Sequence, residues 1–319
     1  MNFQTHIPLE RQKHNLISYD SKVVLLGSCF SENIGEKFNY FKFQNLVNPF
    51  GILFHPLAIE NFITNVINEK QYSEDDIFYN NEAWHCFDAH SRLSNTSKEL
   101  LLEELNSNIT TTHQCIKNTT HVVITLGTAW VYRYISTDSI VANCHKIPQK
   151  QFLKELLSVD AITQSLEVII SLIRTINPDI TFLFTVSPVR HLKDGFVENT
   201  QSKSHLISAI HDVVNIKNKQ FYFPSYELVM DELRDYRFFK EDMIHPNAVA
   251  IDYIWEKFTS VWFADNNFAI MESVDSIQKS IAHKPFNATS EAHTAFKKQL
   301  EEKISKLESE IPSIRFSSK

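Results

Sequence analysis

The stretch Val23-Val24-Leu25-Leu26-Gly27-Ser28-Cys29-Phe30-Ser31-Glu32 organises the reading of this chain. Four consecutive apolar residues suit a strand buried on both faces. Glycine then permits a sharp turn with close backbone approach. A hydroxyl and a thiol follow at once, and Ser31 and Glu32 open an expected helix, Ser31 to Phe38. Both nucleophile candidates, Ser28 and Cys29, therefore sit where helix N–H groups point outward. A reactive atom at a strand-to-helix turn is exposed at the edge of a sheet.

Further strands are expected in the same style. His121-Val122-Val123-Ile124-Thr125-Leu126-Gly127 repeats the buried-strand-then-glycine pattern, and Ile180 to Val186 is another apolar run. Phe41 to Val47 and Phe221-Tyr222-Phe223 are read as a second and a last strand. Between them, Leu57 to Asn68, residues 97–117, 159–176, 201–216 and 248–262 have helical spacing or helix signals, with Asn177-Pro178 as a stop and Asn247 as a cap. Residues 77–87 are read as a hairpin about an Asn-Asn turn, and 131–142 as another. Strands alternating with helices predict a mostly parallel sheet with helices on both faces. Ligands bind at the carboxyl ends of such strands, so the loops after Gly27, Asn48, Gly127 and Val186 are expected to share one edge. Two amphipathic helices, about 267–282 and 289–308, end the chain, and Ile311 to Lys319 is expected to fray.

Composition narrows the class. Of 319 residues 43% are hydrophobic, enough for a sizeable core. The net charge of −7 argues against a nucleic-acid partner, which calls for a basic footprint. No apolar run approaches the roughly 20 residues of a membrane span. The first residues lack the basic-then-apolar pattern of a signal peptide. Four scattered cysteines, Cys29, Cys86, Cys115 and Cys144, read as reduced thiols, so a cytoplasmic protein is expected. Five glycines stand where ordinary usage would give roughly 22. Gly27, Gly51 and Gly127 each follow an apolar or aromatic segment, at expected strand-end loops.

Asp242 and His245 are three residues apart, just ahead of a helix. On a turn, that spacing lets the carboxylate hold one imidazole nitrogen while the other takes a proton from a hydroxyl or thiol. Alone, the pattern is common, and capping by Asn247 with surface polar neighbours explains it as well. His85-Cys86, His90-Ser91 and Cys144-His145 lack the spacing of a dedicated metal site, and no metal or other cofactor is expected. His90 and His145 suit a substrate pocket or a satisfied core equally. Arg190, after Ser187-Pro188, can face a substrate anion or remain a solvated loop charge.

Five blocks in order resemble the GSCFA family: Gly27-Ser28-Cys29-Phe30, Asn48-Pro49-Phe50-Gly51, Leu126 to Tyr132, Asn143 to Pro148, and Asp242-Met243-Ile244-His245-Pro246. Ser31 stands where the family's name has alanine. The family in turn resembles the SGNH/GDSL hydrolases. The resemblance covers residues 20–260 and implies a three-layer α/β/α, flavodoxin-like domain over residues 1–265. It has a mostly parallel sheet of about five strands and a β-hairpin insertion. Residues 266–319 would be a helical extension packed on or projecting from that domain. It further implies hydrolysis of an acyl ester or thioester, or acyl transfer, on a small-molecule or carbohydrate substrate through a covalent acyl-enzyme. Register puts Cys29 on the nucleophile, with Ser28 as the one-residue alternative. His245 would be the base and Asp242 its orienter. Gly51 fits an oxyanion donor, but the usual asparagine of the third block is Ala129 here, so Thr128 or Asn48 must replace it. The altered block also admits a different class, a catalytically divergent module that binds a small acylated or carbohydrate ligand.

Overall fold

Five parallel strands form the centre of the fold in the computed structural model, which describes residues 5–287 and 289–316. β1 (Lys22–Gly27) passes through Ser28 into α1 (Cys29–Tyr40), and β2 (Gln44–Val47) and α2 (Pro56–Ile67) follow. The hairpin β3 (Phe78–Asn80) and β4 (Ala83–His85) precedes α3 (Lys98–Ile116) and β5 (His121–Leu126). β6 (Trp130–Tyr134), β7 (Ser139–Val141) and β8 (Phe152–Leu156) make a separate antiparallel sheet. Then come α4 (Val159–Ile176), β9 (Thr181–Val186), α5 (Phe196–Val213) and β10 (Gln220–Tyr222). A short turn α6 (Ser225–Glu227) leads on to α7 (Ala248–Trp262), α8 (Asn266–Ala282) and α9 (Glu291–Glu310).

The central order is β10-β9-β5-β1-β2, every pair parallel. Numbered within this sheet it reads 2-1-3-4-5, the flavodoxin-like order, whose switch point lies between the first and third strands. Here that is the gap between the ends of β1 and β5. Side-chain alternation divides the core. Val24, Leu26, Val122, Ile124, Phe182 and Phe184 pack towards α2, α3, α4 and α5. Val23, Leu25, Val123 and Leu183 pack towards α1, α7 and α8. The result is a three-layer α/β/α domain. Each fully buried Leu, Ile or Phe contributes roughly 1.5–3 kcal/mol, which is why unbroken apolar runs are confined to these strands.

Several boundaries differ from the sequence reading. α1 begins at Cys29, not Ser31, because Ser28 caps it by accepting from Phe30 N. Ser31 is buried and donates its hydroxyl back to Leu26 O at 3.0 Å. The hairpin at 131–142 gains a third strand, β8, paired with β6 from Trp130↔Leu156 to Tyr134↔Phe152. α5 starts at Phe196, five residues early, after Gly195 at φ 114°. The tail beyond α9 does not fray through residue 316: Ile314 is fully buried and Ser313 Oγ bonds Tyr19 O. Residues 317–319, part of the same expectation, lie outside the described residues. Among the described residues no helix is long and apolar enough to cross a membrane.

Candidate functional site

The switch point is built by backbone. Gly27 takes φ 126°, and a Cβ there would lie 2.1 Å from the Thr125 carbonyl oxygen, so β1 can end against β5 only with glycine. Ser28 N then donates to that same Thr125 O at 3.0 Å. Asn48, at the end of β2, accepts from Gly27 N through Oδ1 at 2.9 Å. Leu53 N donates to Gly27 O, and Gly127 N and Thr128 N both donate to Phe54 O. The loops after β1, β2 and β5 are thus tied to one another at one edge. Ser187 N, past β9, joins them by donating to Leu126 O at 2.8 Å.

The two nucleophile candidates separate here. Ser28 is fully buried and its Oγ is occupied as the cap of α1. Cys29 is half-buried and its sulfur bonds no other residue among those described. Burial pushes the Cys29 thiol up, and Glu32 adds to this, while Lys203, its own N–H and Lys240 pull it down. Desolvation thus outweighs the helix N-terminus at this thiol.

Asp242 and His245 form the pair their spacing implies. Asp242 Oδ1 accepts from Ile244 N and His245 N, both at 2.9 Å, and Oδ2 meets His245 Nδ1 at 2.7 Å. These bonds hold the Asp242 carboxyl down at about 2, the backbone N–H of His245 contributing most. His245 Nε2 is left without a partner among the described residues. Lys240 N closes this turn on His245 O at 2.7 Å. A cleft lined by Asn33 and Glu36 of α1 and by Lys240, Pro246 and Asn247 shows that the turn lies beside α1. No hydrogen bond joins His245 to Cys29 or Ser28 among the described residues.

The expected oxyanion donors fare differently. Gly51, at φ 71°, donates its N–H to Asn48 O at 2.7 Å, closing a tight turn. Thr128 donates its N–H to Phe54 O, and its Oγ1 accepts from Trp130 N and pairs with Ser202 Oγ. Asn48 Nδ2 is buried with no hydrogen-bond partner among the described residues, which makes it the free donor of the set.

Beside this edge opens a cleft of about 450 Å³. Phe54, Trp130, Tyr132 and Phe152 make its aromatic lining, with Thr128 and His191 towards the switch point. His145 also lines it: Nε2 donates to Cys86 O at 2.7 Å, and burial holds the ring neutral, down to about 4. His90 sits elsewhere, behind the Gly51 turn, where a glycine Cβ would come within 2.5 Å of its own Cβ. Arg190 is half-buried and donates to Met230 Sδ at 3.0 Å. Among the described residues no group of three or more His, Cys, Asp or Glu is placed to hold a metal ion.

The chain matches the model of the GSCFA family over residues 22–258. It belongs to that family. A second model, GSCFA domain protein, C-terminal domain, matches residues 274–319, which take in the end of α8 and α9. No curated protein is similar enough to this chain to match it. The five blocks that carried the resemblance fall on the loops just described, the aromatic cleft and the Asp242 turn.

Two further residues stand at this candidate site and are absent from the sequence-based set. His191, past β9, is pushed down to about 3 by burial, then by Lys203 and His245. Lys203 lies on the buried face of α5 with Asn199, Ser202 and Leu206. A lysine on the buried stripe of an amphipathic helix is the available signal.

Proposed function

We propose that this GSCFA protein is an SGNH-like hydrolase or acyltransferase that cleaves a small-molecule or carbohydrate acyl ester or thioester. Cys29 gives its thiol proton to His245 Nε2, the thiolate attacks the carbonyl carbon, and the tetrahedral intermediate collapses to a thioester on Cys29. The leaving alcohol takes its proton from His245, whose Nδ1–H is held by Asp242. Water, giving its proton to His245 Nε2, then attacks the thioester and the thiolate departs. Where another alcohol replaces water, the same steps give acyl transfer. Asn48 Nδ2 and the Cys29 N–H are the oxyanion donors in this reading, since Gly51 and Thr128 have committed theirs. The aromatic cleft offers a face for an acyl chain or a sugar ring.

The observation that carries the proposal is the Asp242–His245 pair, turned with Nε2 unpartnered beside the helix that begins at Cys29. Catalytic hydrogen bonds often form only once substrate is bound, so the reading does not need a bond from His245 to Cys29 in this state. The raised thiol pKa favours the second reading, a divergent module that binds such a ligand without turnover.

The test is acetate release from a chromogenic acetate ester by wild type, Cys29→Ala, Ser28→Ala and His245→Ala. Loss in Cys29→Ala and His245→Ala with activity kept in Ser28→Ala is the expected result. Activity kept in Cys29→Ala and lost in Ser28→Ala moves the nucleophile by one residue. No turnover in wild type, with no acyl label on residue 28 or 29, selects the binding module.

A further inference from the structure

α5 carries a lysine into the interior of the site. Lys203 is 1% exposed, and its Nζ donates to Gly127 O at 2.6 Å and Ser187 O at 2.7 Å. These carbonyls stand just past the ends of β5 and β9, so the ammonium bridges two strand ends. They use two of its three N–H donors. Among the described residues no carboxylate pairs with it, and an unpaired buried charge costs several kcal/mol.

The groups around it are few. Arg190 and His191, from the loop past β9, are cationic or neutral, and the Tyr226 ring lies 5.9 Å from Nζ. Cys29 is the one nearby group whose ionised form favours the ammonium. Around Cys29 in turn stand Glu32 on its own helix, Lys240 from the turn ahead of α7, and Lys203. Backbone geometry makes this proximity: Ser28 N rests on Thr125 O, two residues before the Gly127 carbonyl that holds Nζ. Burial pushes the Lys203 ammonium down to about 7, so its charge state is open to influence near neutral pH.

We propose that Lys203 is a positioning residue, an ammonium fixed by two strand-end carbonyls as the resident counter-charge of the Cys29 thiolate. The proposal rests on Cys29 being the reactive group and says what stabilises its ionised form. The balance is Cys29-SH plus neutral His245 giving Cys29-S⁻ plus the His245 imidazolium, beside a Lys203 ammonium that keeps its proton throughout. Each group then titrates according to the state of the other, and the coupling is reciprocal. His245 then passes that proton to the leaving alcohol and takes one from the attacking water.

The experiment is iodoacetamide alkylation from pH 5 to 10, followed on the Cys29 peptide by mass spectrometry, for wild type, Lys203→Gln and Lys203→Arg. Glutamine can still donate to the carbonyls but carries no charge. Its alkylation midpoint should rise by about one pH unit or more, with the rate at pH 7 falling about tenfold. Arginine, keeping the charge, should restore the midpoint. A folded Lys203→Gln protein with the wild-type midpoint overturns the proposal. A second measurement needs no change at Lys203: its side-chain Cε signal is titrated by NMR in wild type and Cys29→Ser. The Lys203 midpoint should fall in Cys29→Ser by a matching amount, and an unmoved midpoint overturns the proposal even if both Lys203 variants fail to fold. Alkylation needs no ester turnover. A coupled but inactive protein therefore refutes the hydrolase reading alone, and an active, uncoupled one refutes the counter-charge alone.

Discussion

Mild acid should unfold this protein through histidines that the fold keeps neutral, and His55 is where the effect can be isolated. Its Nδ1 caps α2 by accepting from Ala58 N at 3.1 Å, and its Nε2 donates to Val141 O at 3.1 Å. That pair of bonds requires the neutral ring with its proton on Nε2. A second proton, on Nδ1, would face the Ala58 N–H. Burial accordingly pushes His55 down to about 4. In the unfolded chain the ordinary value is about 6.5. With the folded value depressed, the stabilisation is complete above about 6.5 and is lost as pH falls towards 4, because the unfolded chain takes up the proton first. Between pH 7 and pH 5 the loss works out at about 2 kcal/mol for this one residue. His145, held at about 4, and His191, at about 3, act in the same sense. The three together remove about 6 kcal/mol, comparable with the whole stability of many domains. His55→Asn keeps a good capping acceptor but removes the titrating group and the bond to Val141. It should cost about 1–2 kcal/mol at pH 7. Urea melts followed by circular dichroism at pH 5, 6, 7 and 8 provide the assay. The variant should lose about 2 kcal/mol less than wild type between pH 7 and 5. Parallel curves for the two proteins would refute the reasoning.

Three further outcomes can be checked. Gly27→Ala forces a Cβ onto the Thr125 carbonyl at a φ that L-residues rarely adopt, and should destabilise by at least about 3 kcal/mol in a urea melt. Asn48→Asp keeps the acceptor for Gly27 N but replaces the unpartnered Nδ2 donor, and should lower ester turnover by about 10²–10³ in steady-state assays. Asp242→Asn keeps an acceptor for the two backbone N–H groups but loses the charge behind His245. Turnover should fall by roughly 10²–10⁴ while the melting temperature, for an exposed pair, hardly moves.

Where the sequence was legible, one force dominated. β1, β5 and β9 are apolar runs buried on both faces, and α4 combines a wide apolar stripe with an Asn177-Pro178 stop, so periodicity alone finds them. Where two serines both suit a cap, as at Ser28 and Ser31, local preference does not choose. The choice came from the Thr125 carbonyl across the sheet. β8 escaped because Phe152-Leu153-Lys154-Glu155-Leu156 is short, with two charges in five residues, and only pairing with β6 makes it a strand. The tail escaped because the partner of Ser313, Tyr19, is nearly three hundred residues away in sequence. At the site, the Asp242–His245 contact is local and was readable from its spacing. The Lys203 contacts join α5 to the ends of β5 and β9, and no local pattern announces them.

That contrast bears on how the site is held. Its reactive groups arrive from separate loops: Cys29 after β1, Asn48 after β2, His191 after β9 and His245 ahead of α7. Some apolar contact joins these loops, as where the Phe54 ring meets His191 at 5.2 Å; the rest of the ties are hydrogen bonds to a few carbonyls, those of Thr125, Phe54, Gly127 and Ser187. A net contribution of about 1 kcal/mol per such bond is small beside the apolar core. Leaving one of these buried groups unpaired costs more, about 1–3 kcal/mol, and moves the loop that carried it. The site is therefore more fragile than the fold. Substitutions at Asn48 and Lys203 change positions of loops they do not belong to, while the sheet persists. Pairs drawn from different loops, such as Asn48 with Lys203, should then be non-additive in Cys29 reactivity, because they share carbonyl ties at one edge of the sheet.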